Sequence, residues 1–260
     1  HRLRRKGHAN IELWPSQIQA AARAIDPTDS LVAALPTGAG KTRIAEMCIL
    51  RALSDPERRV VYVTPLRALS AQVERDLSGT FGPLGFRVSR LYGAAGSLAG
   101  DEDTLRSARI VVSTPEKLDF ALRSDSTIID NVALVVLDEA HMLGAGERER
   151  NKREAGEREV RYEALIQRLL LRHDASARRI VCLSALFPDE PNEMQDLVDW
   201  IRRDEPGASV RSDWRPTGQR YGWLRWHGQG ARMEIESQRE PAFIPTFVES
   251  SPPPDGSRRK

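Results

Sequence analysis

Two short segments of the chain contain the residue types that nucleotide hydrolysis needs. Residues 34–42 read Ala-Leu-Pro-Thr-Gly-Ala-Gly-Lys-Thr, and residues 138–141 read Asp-Glu-Ala-His after an apolar run. Glycines let backbone N–H groups approach phosphate oxygens, Lys41 can reach the β- and γ-phosphates, and the Thr42 hydroxyl can bind Mg²⁺. The first segment therefore predicts a nucleotide site formed by Thr37, Gly38, Ala39, Gly40, Lys41 and Thr42.

The second segment supplies one acid for a metal ion and one for a water molecule. Asp138 follows a predicted strand, from whose carboxyl end its side chain can meet the same Mg²⁺ as Thr42. Glu139 is predicted to be the general base for a water in line with the γ-phosphate. In an alternative interpretation both acids only cap the next helix, which would leave the phosphate loop without a metal partner. We therefore predict ATP and Mg²⁺ as cofactors, with the catalytic residues Lys41, Asp138 and Glu139.

The elements that must position these side chains alternate along the chain between short apolar runs and helical patterns. Strands are predicted at Leu31–Leu35, Val60–Thr64, Arg87–Tyr92, Arg109–Ser113, Leu134–Leu137 and Ile180–Ser184. Helices are predicted at Ser16–Ile25, Lys41–Ser54, Arg67–Ser78, Pro115–Leu122, Val160–Leu171 and Glu190–Arg203. Strands that are apolar at nearly every residue are typical of a sheet covered on both faces. The pattern predicts an α/β fold with a doubly wound, mostly parallel sheet and helices on both faces.

Composition changes divide the chain into four expected parts. Residues 1–10 form an N-terminal tail, and residues 11–206 form the α/β lobe, within which the polar segment 144–159 is a solvated loop or an exposed helix start. Residues 207–249 are expected to be an irregular extension of strands or extended chain. This part is the start of a second lobe, a linker or an insertion. Residues 250–260 are rich in Pro, Ser and Gly and are expected to be a disordered linker.

Composition also limits the function classes. The 260 residues carry a net charge of only +2, so overall basicity does not argue for nucleic acid. No apolar stretch is long enough for a membrane span, and the two cysteines are expected to be buried, reduced thiols. These features predict a cytoplasmic protein that does not associate with a membrane.

The phosphate loop together with Asp-Glu-Ala-His resembles the superfamily-2 helicases of the DEAD/DEAH type. In that family other residues commonly replace the first glycine of the loop, where Leu35 stands here. The strings Leu13-Trp14-Pro15-Ser16-Gln17 and Ser212-Asp213-Trp214-Arg215-Pro216 resemble the Ski-like branch, which includes archaeal DNA-repair helicases. The resemblance implies that the chain is the N-terminal RecA-like ATPase lobe of such a protein.

The same resemblance implies roles for residues outside the two segments. Gln17 is expected to recognise the adenine edge. The segments around residues 64–67 and 113–117, with a small glycine motif, are expected to grip a nucleic-acid backbone. Thr-Pro and Ser-Thr-Pro sequences are also ordinary helix caps, and the two uses are compatible because a helix N-terminus binds phosphate. The expected nucleic-acid residues are Thr64, Pro65, Arg67, Gly93, Thr114 and Pro115.

Coupling of hydrolysis to strand movement is expected to involve His141 and Ser184. Leu186 replaces the threonine that usually ends the Ser184 motif in the family. Motors of this family hold ATP between two RecA-like lobes, and too few residues follow Arg215 for a second one. The resemblance therefore implies a second lobe in the full-length chain, and we expect this chain alone to bind and turn over ATP weakly.

Three functions remain open at this stage. The first is a helicase that uses ATP to unwind or remodel DNA or RNA. The second is a duplex translocase of the restriction or remodelling type. The third is a nucleotide-gated binding module, for which Leu186 and the missing second lobe are the motivation.

Overall fold

The computed structural model describes residues 12–91, 101–142, 153–185, 191–212, 214, 222–227 and 230–235. Seven strands form one sheet: β1 Leu31–Ala34, β2 Arg59–Val63, β3 Val88–Arg90, β4 Ile110–Ser113, β5 Val132–Leu137, β6 Arg179–Ser184 and β7 Val210–Arg211. Their order is β3-β4-β2-β5-β6-β1-β7, and every pairing in it is parallel. The predicted doubly wound parallel sheet is confirmed.

Within the described residues, seven α-helices connect or flank these strands. Their bounds are α1 Pro15–Ala24, α2 Lys41–Ala52, α3 Arg67–Phe81, α4 Asp101–Ser107, α5 Pro115–Ser124, α6 Arg153–Leu170 and α7 Pro191–Arg202. Short 3₁₀ turns occupy Gly82–Leu84, Ser126–Ile129, Ala140–Met142 and Ala175–Ala177. In the described part of the chain, no helix is both long and apolar enough to span a membrane.

Alternate strand residues build two separate hydrophobic layers, one on each face of the sheet. On β5, Leu134 and Val136 join the layer that contains buried residues of α1, α2 and α3. Val135 and Leu137 join the other layer, which contains buried residues of α4, α5, α6 and α7. Because successive strand residues point to opposite faces, this division places helices on both sides of the sheet. Cys48 and Cys182 lie in these layers as buried free thiols, as predicted.

The structure departs from the sequence expectations at a few elements. Helix α4 was not predicted, and helix α6 begins at Arg153 rather than at the predicted Val160, so the helix start that was one of two expectations for segment 144–159 is present there. Strand β3 is shorter than the predicted run to Tyr92, which lies outside the described residues. The sheet also continues past residue 206, where we expected the lobe to end, because β7 pairs with β1. Two residues of strand carry too little pattern to be recognised in a sequence.

The chain divides into two compact units, His1–Pro216 and Thr217–Lys260. In the second unit, β8 Gly222–His227 and β9 Gly230–Ile235 pair as an antiparallel hairpin. The extension is therefore regular over this part rather than irregular, and the strands expected around Trp223 and Trp226 are present.

Candidate nucleotide site

The loop between β1 and α2 turns through two glycines in the left-handed backbone conformation. Gly38 has a φ of 81° and Gly40 a φ of 89°, a region in which a Cβ atom is strained. The Ala39 N–H donates to the Pro36 carbonyl at 3.0 Å and closes the turn. Lys41 and Thr42 are the first residues of α2, whose positive N-terminal end favours a bound phosphate.

Helix α1 contacts this loop through two side chains. The Ser16 hydroxyl donates to the Ala39 carbonyl at 2.9 Å, and the Gln17 amide nitrogen lies 3.4 Å from the Gly40 carbonyl, to which it donates. A Cβ atom added to Gly40 would lie only 1.9 Å from that Gln17 nitrogen. Position 40 therefore requires glycine both for its φ and for the close approach of α1.

Both ends of the Gln17 amide are engaged inside the protein. Its oxygen accepts from the Trp14 N–H at 3.0 Å, its nitrogen donates to Gly40, and its side chain is buried. An amide has two N–H donors and two acceptor positions, so the adenine contact expected for Gln17 is compatible with these hydrogen bonds and stays a prediction. In this structure Gln17 connects the start of α1 to the phosphate loop.

A cavity of about 480 Å³ lies beside the loop, within the size range of small-molecule sites. Thr37 is exposed, whereas Ala39 is buried and contributes its backbone to the turn. The cavity is lined by Glu12, Trp14, Gln17, Gly38, Gly40, Lys41, Thr42, Arg43 and Glu46. It thus includes most of the predicted nucleotide-binding residues.

The acid pair follows β5, and its conformation is fixed by hydrogen bonds. Asp138 Oδ2 accepts from the Tyr62 hydroxyl and Oδ1 accepts from the Glu139 N–H, each at 2.9 Å. The Asp138 carbonyl accepts from the Tyr162 hydroxyl, also at 2.9 Å. Glu139 has a φ of 51°, which a residue with a Cβ atom adopts only when its surroundings hold it there.

The sheet brings the loop and the acid pair to the same edge. Strand β6 lies between β1 and β5, with Ala34 opposite Ser184 and Leu137 opposite Cys182. Because the three strands are parallel, the loop after β1, the Ser184 end of β6 and Asp138 all lie at the carboxyl edge. This edge is the position where open α/β sheets bind ligands.

The proton affinities in the site reflect burial and mutual charge. Burial raises the pKa of the Asp138 carboxyl, and the Tyr62 hydrogen bond opposes that rise. Burial lowers the pKa of the Lys41 ammonium, while Glu139 and Asp138 act in the opposite direction. Because both carboxylates favour the charged form of Lys41, the start of α2 lies close enough to the end of β5 for their charges to interact.

His141 and Ser184, the residues expected to couple hydrolysis to movement, occupy different surroundings. His141 Nδ1 lies 3.3 Å from Glu139 Oε2, and this neighbour lowers the pKa of the Glu139 carboxyl. Ser184 is fully buried at the end of β6, and its carbonyl accepts from the Leu35 N–H at 3.0 Å. The third motif position, Leu186, lies outside the described residues. The coupling role of the pair stays a prediction.

The residues expected to grip a nucleic-acid backbone lie at two strand-to-helix junctions. The Thr64 hydroxyl is buried and lies 2.8 Å from the Ser70 hydroxyl, whereas Arg67 is exposed at the start of α3. Thr114 caps α5 by accepting from the Lys117 N–H at 3.5 Å, and Pro115 is the first helical residue. Pro65 is buried, and Gly93 lies outside the described residues. The capping use is therefore present at Thr114, and Arg67 is exposed to solvent.

The side chains at the carboxyl edge fit a magnesium–nucleotide complex. Thr42 offers a hydroxyl and Asp138 a carboxylate, and Mg²⁺ in nucleotide sites takes one or two protein oxygens with phosphates and waters. Within the described ranges, His, Cys, Asp and Glu side chains form no group of three that could hold a metal ion.

Several residues that shape the site were not among the predicted site residues. Trp14 lines the cavity and its ring lies 5.3 Å from that of Trp214, and Ser16 holds the loop. Tyr62 and Tyr162 hold Asp138. The two segments that resemble the Ski-like branch contain Trp14, Ser16 and Trp214, so the sequence did point to these residues. It gave no sign of a role for the two tyrosines, because buried aromatic residues are common in any core.

Comparison with known proteins gives consistent matches. The family model for the DEAD/DEAH box helicase matches residues 14–194. The chain is 33% identical over 238 residues to the Hachiman protein HamB of Bacillus cereus, covering 91% of this chain and 20% of HamB. It is 30% identical over 211 residues to the ATP-dependent DNA helicase Hel308 of Pyrococcus abyssi, covering 81% of this chain and 26% of Hel308.

A third relative, from a plant, is named as an RNA helicase, whereas Hel308 is named as a DNA helicase. The DExH-box ATP-dependent RNA helicase DExH12 of Arabidopsis thaliana is 31% identical over 244 residues, which cover 90% of this chain and 10% of that protein. The chain therefore spans between 10% and 26% of the length of these three relatives.

Proposed function

Because the chain belongs to the DEAD/DEAH box helicase family, we propose that it is the ATP-binding lobe of a nucleic-acid motor and that its phosphate loop and acid pair hydrolyse ATP. The observation that carries the proposal is the meeting of these two segments at one sheet edge, with both acids acting electrostatically on Lys41. The match to the family model over residues 14–194 supports it.

Each residue at the edge has a distinct task in this proposal. Lys41 and the N–H groups of the loop bind the β- and γ-phosphates, and Thr42 and Asp138 hold Mg²⁺. The ion, when bound, neutralises charge that develops on the phosphate oxygens. Glu139 accepts the proton of the attacking water; the hydrogen bond from His141 lowers the pKa of this carboxyl, which is ionised at neutral pH as a base must be.

The nucleic acid and the second lobe complete the proposed motor. Arg67, exposed at the start of α3, is suited to a backbone phosphate, as is the N-terminus of α5 behind Thr114 and Pro115. A second RecA-like lobe in the full-length chain would close the nucleotide site from the other side. Arginine residues supplied to phosphoryl transfer in this way raise rates by about 10³–10⁵, so we expect the isolated chain to hydrolyse ATP poorly.

A cytoplasmic location is part of the same proposal. The buried free thiols Cys48 and Cys182 support it, because reduced cysteines are the rule in that compartment.

The decisive experiment changes Glu139 to Gln in the full-length protein. Hydrolysis stimulated by nucleic acid should fall by roughly 10²–10⁴-fold, the range for loss of a general base, while nucleotide binding is kept. Glu57→Gln is the matched control, because the same chemical change is made in an exposed turn. Equal hydrolysis in the Glu139 variant and the wild type would contradict the proposal.

The assay of nucleic-acid-stimulated hydrolysis, combined with a strand-displacement assay, also shows whether the substrate is DNA or RNA and whether the protein unwinds it or moves along it. The relatives' names include both DNA and RNA helicases, so single strands and duplexes of both polymers are tested as stimulants. Strand displacement identifies a helicase, whereas duplex-stimulated hydrolysis without displacement identifies a translocase. A wild-type protein that binds nucleotide but has no nucleic-acid-dependent hydrolysis would be a binding module.

A further inference from the structure

Two buried tyrosines reach Asp138 from opposite faces of the sheet. Tyr62 lies on β2 in the layer shared with α1, α2 and α3, and Tyr162 lies on α6 in the other layer. Their side chains are 2% and 1% exposed. The Tyr62 hydroxyl donates to Asp138 Oδ2 and the Tyr162 hydroxyl donates to the Asp138 carbonyl, each at 2.9 Å.

Packing alone does not account for these residues. A phenylalanine would fill the same space, whereas a buried phenol is costly unless its hydroxyl finds a hydrogen-bond partner. Both hydroxyls find that partner on one residue.

Tyr62 acts on the carboxylate itself. Oδ1 of Asp138 is fixed by the Glu139 N–H and Oδ2 by the Tyr62 hydroxyl, so the plane of the carboxylate is set before any ligand arrives. Hydrogen bonds to a metal-ligating group orient that group and tune its affinity for the metal. Removal of the Tyr62 hydroxyl would free one carboxylate oxygen while the backbone of Asp138 stays in place.

Tyr162 acts instead on the backbone. The Asp138 carbonyl belongs to the peptide unit that leads into Glu139, where φ is 51°. The carbonyl is held by Tyr162 and the N–H of the same peptide points back to Asp138 Oδ1. Fixing both ends of this peptide sets the direction in which the Glu139 side chain leaves the chain.

We propose that Tyr62 and Tyr162 are positioning residues that divide the control of the acid pair between them. Tyr62 holds the carboxylate of Asp138 for Mg²⁺, and Tyr162 holds the peptide that directs Glu139 towards the attacking water. This inference rests on the proposed function, because Asp138 and Glu139 take their roles from it.

The test compares Tyr62→Phe and Tyr162→Phe in the full-length protein. Each variant removes one oxygen atom from a buried ring beside the same residue, so each is the matched control for the other. Three quantities are measured: the affinity for a fluorescent non-hydrolysable ATP analogue without divalent ions, the Mg²⁺ concentration that gives half of the Mg²⁺-dependent increase in that affinity, and ATP turnover at saturating ATP and Mg²⁺.

The two variants should differ from the wild type in different quantities. For Tyr62→Phe the half-saturating Mg²⁺ concentration should rise by about 10-fold or more, the usual effect of losing a partner of a metal ligand. For Tyr162→Phe the Mg²⁺ titration should match the wild type, while turnover falls by about 10- to 100-fold because a misplaced base is costly. Binding of the analogue without divalent ions should be unchanged in both, which shows that the lobe is folded.

The outcomes separate this inference from the function on which it rests. A wild-type protein with neither a Mg²⁺ effect nor turnover contradicts the proposed function. If the wild type has both, equal losses in both variants, or no loss in either, overturn the division of roles. Should Tyr62→Phe lose binding of the analogue without divalent ions, the Tyr162 variant decides, and unchanged turnover there overturns the inference.

Discussion

The two edges of the main sheet surround their aspartates in opposite ways. At the amino edge, Asp29 precedes β1 and contacts Arg23 at 2.6 Å and also Arg202. Asp174 precedes β6 and contacts Arg172 at 2.8 Å and Arg178 at 2.9 Å. At the carboxyl edge, Asp138 is instead held by a phenol and a peptide N–H.

The pKa values of the three aspartates follow this difference. Burial acts to raise the pKa of Asp29, but Arg23 and Arg202 outweigh it and the pKa falls below its ordinary value. The hydrogen bond from Arg172 lowers the pKa of Asp174. Burial raises that of Asp138. Among the described residues, the aspartates of the amino edge are paired with arginines, whereas Asp138 at the carboxyl edge has no arginine contact and keeps its charge for a ligand.

The largest expected effect is a loss of ATP hydrolysis, which a substitution at the carboxyl edge should cause and one at the amino edge should not. Asp138→Asn should lower ATP hydrolysis of the full-length protein by about 10²–10³-fold, as losses of one electrostatic group in an active site do. Unfolding in urea should change little, because the buried charge is disfavoured in the folded protein. Steady-state hydrolysis and a urea titration measure the two effects, and a large loss of stability with intact hydrolysis would reverse the comparison.

The same substitution at the amino edge should have the opposite outcome. Asp174→Asn removes the negative charge and one of the two carboxylate oxygens that accept from Arg172 and Arg178, so the free energy of unfolding should fall by about 2 kcal/mol. Hydrolysis at a temperature where the variant is folded should equal that of the wild type. Unchanged stability in the urea titration would show that these ion pairs contribute nothing.

A smaller effect is expected at the phosphate loop. Gly40→Ala places a Cβ atom against Gln17 and strains a φ of 89°, so nucleotide affinity should fall by about 10-fold. Adding Gln17→Ala removes the steric contact but leaves the strain, so the loss caused by Gly40→Ala should be smaller when it is measured against Gln17→Ala alone. Titration with a fluorescent nucleotide measures the three variants, and an equal loss in both backgrounds would leave backbone strain as the whole cause.

The smallest effect concerns pH. Asp29 and Asp174 have folded pKa values below the value of about 3.9 in unfolded chains, so their stabilisation is complete above that pH and is lost as pH falls. Below about pH 4 the wild type should therefore lose stability, and Asp174→Asn should lose less, by at most about 1.4 kcal/mol per pH unit. Urea titrations between pH 2 and pH 7, as a chosen range of about five units, provide the comparison. Parallel slopes would contradict the assignment to Asp174.

Much of the fold was predictable because its signals are local. The strands covered on both faces are continuous apolar runs, and each predicted helix or strand of the lobe has a counterpart with similar bounds, except that α6 begins seven residues before the predicted Val160. Helix α4 and strand β7 were missed because they are short and carry no distinct periodicity. Their existence depends on a neighbour, since β7 is defined by its pairing with β1.

The candidate site could be proposed from the sequence to the extent that its chemistry lies in consecutive residues. The loop at Gly38–Thr42 and the pair Asp138–Glu139 could be named because phosphate and metal binding demand those types at that spacing. The hydrogen bonds of Gln17 could not be predicted, because only folding brings the groups that bond to its amide near it. The same holds for the tyrosines on Asp138.

The sequence by itself determined the fold class, the family and the identity of the groups that could bind phosphate and metal. These features depend on residue type and local spacing, which a linear chain carries. The tertiary structure alone decided which side chains hold those groups: Ser16 and Gln17 on the loop, Tyr62 and Tyr162 on Asp138, and arginines on the aspartates of the opposite edge. Hydrogen bonds between residues far apart in the chain depend on distances and directions that exist only after the layers have packed against the sheet.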